Sequence, residues 1–464
     1  MRKRQWFTGI RLLGAVLLGA VTVLAPVACG SAEDTASQVT IAGVWVGGDE
    51  TQFKHLLDQF QQQYGIHYVY QGSRALDQLL ASDVRNGTEP DIAVVASPTV
   101  LSNYYHSGDL QPLNTFLSNQ TGQYSQQWLN LMRTSARKGT GQVQVGLALK
   151  VDLKSIVFYD RATLSSVLPG RIGEQSPPSW TSVANLPGTP WCLGLGSNAV
   201  SGFPGTDWIE EIMLKDFGPT VYQEWADGQL AWNSTQVRSA FGIWASILAK
   251  VRGGSGSALL TNFDQAAEPM LTRNPPGCYL DSAGSFITGT YENLLNPNKN
   301  VKPVDHAGTT YDFFPFPAIQ PANADDYEVA GNFAGMFRDT PAARSLMTFL
   351  ASKQGQQDWV DSGSYSADTQ VPRSAYPNDD VHHAISAILT GGGHLSFDAS
   401  DLLPDALGNA FYQAVLAFTA NPANPANPAS LEALYDSLDQ LDAQRCQLIT
   451  PTPANCPGKD ATHG

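Results

Sequence analysis

The feature that most constrains this chain is an alternation of short β-type runs with amphipathic helical runs, beginning after a polar stretch that ends near Ser37. VTIAGVWV (39–46) has the β-branched character of a strand, and Phe53, Leu56, Leu57, Phe60 and Tyr64 follow at helical spacing. IHYVY (66–70) then precedes a helix carrying Leu76, Leu79, Leu80 and Val84, and DIAVVA (91–96) reads as a buried strand. A βαβαβ order of this kind predicts an open, largely parallel α/β sheet. QVQVGLAL (142–149) and SIVFY (155–159) are two close β-type runs with only the polar stretch Lys150 to Lys154 between them, a natural crossover between two lobes. Helical periodicity returns over 208–217, 237–251 and 342–349, the last with Thr340 as N-cap and Pro341 at the first helical position. The terminal helices 407–418 and 431–441 are joined by NPANPANPA (421–429), whose prolines forbid one continuous helix.

Composition narrows the class. With 464 residues, 42% hydrophobic and 15% charged, the chain is too apolar for disorder and long enough for two or three lobes with cores of their own. Its 42 acids against 27 bases, and the absence of a basic run, exclude nucleic acid and anionic lipid surfaces as partners. Arg2, Lys3, Arg4 and Arg11 precede an apolar stretch from Leu12 to Ala28, which has the charge and length of a secretory signal. The stretch ends in Val27-Ala28-Cys29-Gly30, which resembles a bacterial lipobox apart from Pro26. The expectation is a signal peptide over 1–28, a polar stalk over 29–37 anchored by a lipid on Cys29, and an extracytoplasmic protein on the outer face of the cell membrane. Cleavage that leaves a free, soluble protein is the competing reading.

Export makes disulfides available to the remaining cysteines. Cys446 and Cys456 bracket a nine-residue loop containing Pro451 and Pro453 and are expected to pair locally, leaving Cys192 to pair with Cys278. No CxxC spacing supports a zinc site, and the eight scattered histidines, His382 and His383 among them, read as solvated. GLGSNAVSG (194–202) lacks both the GxGxxG spacing and the GK[ST] ending of a phosphate cradle, and reads as a turn before a helix. No GxSxG is present, and Glu210 with Glu211, adjacent on one helix, face different directions. No catalytic residue, metal or cofactor is expected. Aromatic residues beside loops stand out instead: Trp45 at the end of the first strand, Phe203 and Trp208 around a Gly/Pro turn, and Tyr412 near Asp401. Aromatic faces stack on the C–H faces of sugar rings while Asp, Asn and Lys hydrogen-bond the hydroxyls. Trp225, Trp244 and Trp359 lie within helical periodicity and read as packing residues.

Three segments, PWCLGLGSNAVSGFPGTDWIEEIML (190–214), PPGCYLDSAGSFI (275–287) and GNFAGMFRDTPAARSLMTFLAS (331–352), together with FDASDLLPDALGNAFYQAV (397–415), resemble the extracellular solute-binding proteins of carbohydrate ABC transporters. The similarity is greatest to the α-glucoside-binding branch. It implies an α/β, two-lobed, periplasmic-binding-protein-like fold of type II, with a hinge between the lobes and the ligand cleft between them. The lobes are expected at 38–149 plus 334–380 and at 150–333 plus 381–445, with a disulfide-looped tail over 446–464. The site implied by the matched segments contains Trp45 and Asp49 after the first strand, Ser73 after the second, and Lys150 and Asp152 at the crossover. Phe203, Asp207 and Trp208 form the wall of the second lobe, joined by Ser285 and Asn332, and Asp401 and Tyr412 complete the cleft. Phe203 and Tyr412 stand where that branch commonly has Trp, so both stacking platforms are smaller. The function implied is non-enzymatic capture of a carbohydrate, an α-glucoside or related di- or oligosaccharide, by a monomer. Its partners are the permease subunits of an importer with a separate ATPase. A secreted glycosidase acting in the same cleft, and a sugar sensor without transport, are the alternatives.

Overall fold

A computed structural model describes residues 38–114, 117, 122–168, 170, 172–295, 311–377, 380–391, 393–422 and 428–449. The strands are β1 (Gln38–Gly43), β2 (His67–Gly72), β3 (Ile92–Val95), β4 (Arg133–Ser135), β5 (Gln142–Gln144), β6 (Leu147–Leu153), β7 (Ile156–Asp160), β8 (Trp191–Cys192), β9 (Leu280–Ser282), β10 (Tyr311–Pro315), β11 (Asp326–Met336) and β12 (His394–Phe397). The first sheet runs β12-β11-β3-β1-β2, with β6 also paired to β11. β1 is parallel to β2 and β3, as the βαβαβ reading requires, whereas β11 is antiparallel to β3 and β6. The second sheet runs β10-β7-β9-β8, and β4 pairs with β5 alone. Every residue of β3, β6 and β7 is buried; β3 is accordingly a continuous apolar run, whereas β6 buries Lys150 and Asp152 among apolar residues.

The helix Gly48–Tyr64 buries Phe53, Leu56, Leu57 and Phe60 against the first sheet and stops at Gly65, whose φ of 68° ends it in the left-handed region. The second core gathers tryptophans, with Trp191, Trp208, Trp225, Trp232 and Trp244 all at most 2% exposed. The helix Phe203–Ala226 supplies two of them and is interrupted at Gly218, with φ of 80°, directly before Pro219. Thr340 caps the helix Pro341–Leu350 as expected, its Oγ1 accepting from the Ala343 N–H at 3.1 Å.

The two sheets are joined by three passages of chain. The first is Lys154–Ser155, between β6 and β7; the second covers 316–325, between β10 and β11; the third begins at Asp398, after β12. The sequence placed the first crossover across Lys150 to Lys154, but Lys150–Leu153 stay in β6 because β11 offers them partners from Asn332 to Val329. The first and second sheets thus part at Lys154, between Pro315 and Asp326, and after Phe397, whereas the sequence set the lobe limits at 149, 333 and 380. β1 ends at Gly43, two residues before Trp45. His382 corrects the expectation of solvated histidines: it is 5% exposed, its ring stacks on Tyr365 at 5.8 Å, and its Nε2 lies 3.5 Å from Glu292.

Cys192 of β8 and Cys278 are joined in a disulfide, with Cα atoms 5.3 Å apart, that ties the second sheet across a sequence separation of 86. Cys446 is also disulfide-bonded, while Cys456, Cys29 and the leader lie outside the described residues. Among the described residues no helix is long and apolar enough to cross a membrane. A cross-link over so long a loop stabilises mainly by restricting the unfolded chain. The paired substitution of Cys192→Ser and Cys278→Ser is expected to lower the unfolding free energy by about 2–4 kcal/mol. Urea titration checks this, and an unchanged unfolding curve contradicts it.

Candidate functional site

The C-terminal ends of β1 and β2 and the last residues of β6 bring charged side chains to one edge of the first sheet. Lys150, 8% exposed, lies 3.4 Å from Asp49 and 3.9 Å from Asp152, and Arg74 approaches Asp49 from the other side at 3.9 Å. Burial opposes the Lys150 ammonium, but Asp152 and Asp49 outweigh it and raise its pKa. The polar line continues into the second sheet's side. The Ser285 hydroxyl donates to Asp152 at 3.0 Å and accepts from the Leu153 N–H at 3.1 Å. Burial raises the Asp152 carboxyl, and Lys150 and Ser285 act against that rise.

One step along the chain, Lys154 reaches Asp207 at 2.7 Å and Asp398 at 3.0 Å. Burial again opposes the cation, and Asp207, Asp398 and Glu328 together hold it well above the ordinary lysine value. Burial pushes Asp207 up to about 6 against the pull of Lys154. The Lys154 ammonium also lies 5.6 Å from the ring centroids of both Phe203 and Phe286. These two rings, with Phe263, form a half-exposed aromatic group whose centroids are 5.2–6.4 Å apart. Asp401 donates its backbone N–H to Asp398 at 3.1 Å, and burial followed by the Asp398 charge raises its carboxyl well above the usual range. Burial and then Asp401 raise the phenol of Tyr412, whose side chain also bonds Ser400.

The Gly-rich stretch 194–202 serves close packing in this region. Gly202 has φ of 107°, and a Cβ there would come within 2.5 Å of the Tyr412 carbonyl oxygen. A Cβ on Gly194 would meet the Asn262 carbonyl oxygen at 2.5 Å, next to Phe263. The glycines let the aromatic residues approach the start of the helix Phe203–Ala226, and no phosphate need be invoked.

Of the twelve residues nominated from the sequence, the structure gathers Asp49, Lys150, Asp152 and Ser285 into one line, and Phe203, Asp207, Asp401 and Tyr412 around Lys154. Ser73 is half-buried, and its Oγ accepts from the Ala75 N–H at 3.1 Å. Two tryptophans occupy other roles than the stacking surfaces expected. Trp45 is 2% exposed, packs on Phe53 and Trp359, and donates its Nε1–H to Asn332 at 3.2 Å. Trp208 is 2% exposed between Trp191, Trp244 and Phe316. Lys154, Asp398, Phe263 and Phe286 were not nominated. Phe286 follows Ser285 directly, and Lys154 closes the crossover stretch, so adjacency was the available signal.

None of the twelve lines the cavity of about 1490 Å³ that opens beside Asp77, Ser97, Asn103, Arg133, Asp405 and Arg445. The polar line and the aromatic group, where charge and exposed rings converge, define the candidate site better than this volume does. Burial, then the neighbouring Asp405, pushes Asp77 in that cavity up to about 7.

Two sheets joined by three passages, with a polar and aromatic seam beside them, define a two-lobed binding protein. The comparisons agree: the chain belongs to the bacterial extracellular solute-binding protein family, whose pattern it matches over residues 47–357. It is 30% identical over 393 residues to the osmoprotective compounds-binding protein GgtB of Synechocystis sp., covering 82% of this chain and 88% of that one. It is 28% identical over 395 residues to the alpha-glucosides-binding periplasmic protein AglE of Rhizobium meliloti, covering 82% and 83%. Its fold matches the bacterial solute receptor AcbH with a TM-score of 0.71 at 15% identity, over 88% of this chain and 99% of that one. These relatives bind solutes, and the chain is a binding protein, not an enzyme.

Two outcomes follow from the geometry. Trp208→Ala is expected to cost about 3–5 kcal/mol of stability by urea titration, as for a large core ring, while Phe203→Ala costs clearly less; the reverse order contradicts the assignment of rings to core and seam. For Asp77, the unfolded chain releases its proton near 3.8 and the folded chain keeps it to about 7. The folded state therefore binds more protons in between, and stability falls as the pH rises from about 4 to about 7. Asp77→Asn is expected to flatten that fall, and an unaltered slope contradicts it.

Proposed function

We propose that this protein is the sugar-capturing component of an ABC importer, and that its ligand is an α-glucoside or a related di- or oligosaccharide. The observation that carries the reading is the seam from Asp49 through Lys150 and Asp152 to Ser285. It takes groups from both sheets and lies along the chain from the Phe203, Phe263 and Phe286 rings. Charged groups that already balance one another can give and accept hydrogen bonds with neutral hydroxyls, and exposed ring faces take the C–H faces of a pyranose. A ligand that touches both lobes only when they approach draws the equilibrium toward the closed form by its differential affinity. The relatedness to an α-glucoside-binding protein and to an osmoprotectant-binding protein supports the ligand class. Trp45 and Asn332 serve here by holding the chain that leads into the helix carrying Asp49, and Trp208 by holding the helix that carries Phe203 and Asp207. Ser73, Asp401 and Tyr412 border the same cleft. In this reading a lipid on Cys29 tethers the monomer to the outer face of the membrane, where the closed form meets the permease subunits.

Titration calorimetry of the protein without residues 1–29 against maltose, trehalose, sucrose, longer α-glucans and glycerophosphodiesters tests the ligand class. Saturable binding of an α-glucoside, weakened by Phe203→Ala and weakened about 5- to 150-fold by Asp152→Ala, is expected, since a lost buried hydrogen-bond partner costs about 1–3 kcal/mol. Binding of a phosphodiester alone, or of none of these solutes, refutes the reading.

A further inference from the structure

Where the chain passes between the sheets it buries more acid than base. Among the described residues, Asp207, Glu210, Glu211, Glu328, Asp398 and Asp401 share this region with two ammonium groups, those of Lys154 and Lys215. The side chains of Glu210, Glu328 and Lys215 are wholly buried. Two of the passages and the strand that follows the other contribute. Lys154 and Ser155 come from the first, Glu328 from the start of β11, and Asp398 and Asp401 from the third. Asp207, Glu210, Glu211 and Lys215 project from the helix Phe203–Ala226 of the second core.

Donors are unevenly shared among these acids. Asp398 receives the Lys154 ammonium at 3.0 Å, the Ser400 hydroxyl at 2.8 Å and the Asp401 N–H at 3.1 Å. Both oxygens of Glu211 receive the Ser155 hydroxyl, at 2.8 and 2.7 Å, and Ser155 in turn accepts from the Glu328 N–H at 2.7 Å. By contrast, no N–H or hydroxyl reaches either carboxyl oxygen of Glu328, or Oε1 of Glu210; Oε2 of Glu210 accepts from the Ala399 N–H at 2.8 Å. What does lie within hydrogen-bond reach is another acid: Asp398 beside Glu210, and Glu211 beside Glu328. Two carboxylates in contact in a dry site repel, whereas one proton between them removes the repulsion and supplies the missing donor at once.

We propose that the hinge contains two structural protons, one shared by Glu210 and Asp398 and one by Glu328 and Glu211, and that their loss in alkaline solution drives the lobes apart. The surrounding charges agree with this placement. Glu328 faces Glu210, Glu211, Asp398 and Asp207, and Lys215 lies against Glu211, Glu328, Asp326 and Asp325. Glu210 faces Asp398, Asp207 and Lys154, and Tyr222 packs against Glu328, Glu210 and Asp398 without supplying charge. Tyr412 and Asp401 close the cluster beside Asp398. Burial and these neighbouring acids raise Glu210 and Glu328 well above the carboxylate range, while Asp398, its burial outweighed by Lys154 and its donors, stays low. Oxygens of Asp207, Glu328 and Asp398 lie within 4.8 Å of one another, a spacing that a metal ion could bridge. The Lys154 ammonium already pairs two of the three, at 2.7 Å from Asp207 and 3.0 Å from Asp398, and leaves both Glu328 oxygens without a donor, which a proton supplies. Because Glu328 stands on β11 of the first sheet, Asp398 on the third passage, and Glu210 and Glu211 on the helix of the second core, deprotonation sets like charges across the joint. This device does not depend on which solute the cleft takes.

Two measurements on the ligand-free protein test the proposal. Infrared spectroscopy at about pH 8, where ordinary carboxyl groups are ionised, is expected to show the carbonyl band of protonated acids. Its absence overturns the proposal without any variant. Small-angle scattering is expected to give a larger radius of gyration at about pH 9 than at about pH 6, since acids that keep protons in the arrangement described favour that arrangement about tenfold less per proton for each pH unit. The pair Glu210→Gln and Glu328→Gln, whose amides keep the donor but cannot ionise, is expected to hold one radius at both. An equal radius for the unaltered protein at both pH values, or a reversal of its alkaline expansion by added calcium, overturns it.

Discussion

The ion pairs of Lys154 are the interaction on which the rest of the arrangement depends. This one ammonium stands at the first passage between the sheets and binds Asp207 from the helix of the second core and Asp398 from the third passage. A buried charge of this kind is tolerated only with partners close at hand, and removing one partner leaves the other unpaired at a cost of about 3–5 kcal/mol. The geometry fixes three things together: where β6 ends, how the helix Phe203–Ala226 lies against β11, and where the chain leaves β12. The aromatic group is set by the same ammonium, since the Phe203 and Phe286 rings lie equally far from it.

From that anchor the seam follows in order along β6. Alternate residues of a strand point the same way, so Lys150 and Asp152 share one direction, Lys154 follows directly after the strand, and each of the three meets a partner from a different element. Asp49 comes from the first turn of the helix after β1, Ser285 from the turn after β9, and Asp207 from the first turns of another helix. Each ammonium on this line meets two carboxylates. A seam built this way offers many directed hydrogen bonds and little uncompensated charge, which suits a neutral polyol better than an ion.

Much of the fold was legible because it rests on local pattern. The order of β1, β2 and β3 with their helices, the Thr340 cap and the Cys192–Cys278 bridge all follow from spacing and residue type. The crossover was misplaced by a few residues because Lys150 and Asp152 look like loop residues by polarity, and only the pairing with β11, some 180 positions away in sequence, makes them strand. The same distance explains Trp45 and Trp208. A tryptophan at a strand end or helix start has the same local signature whether it faces a cleft or a core, and the neighbours that decide the matter, Trp359 for one and Trp244 for the other, are remote in sequence. Lys154, Phe263 and Asp398 escaped notice for the same reason: their role exists only where three passages meet. Glu210 and Glu211 were read as facing different directions on one helix, and that divergence is what lets Glu210 face Asp398 while Glu211 faces Ser155.

The central claim is that two lobes close about these passages on a neutral sugar. Spin labels at the exposed positions Val69, on the first sheet, and Leu260, on the second lobe, report that motion directly as a distance. The account predicts that the distance between the labels changes to a single, narrower distribution when a bound α-glucoside saturates the protein. Calorimetric binding of that sugar with an unaltered distance distribution would contradict it.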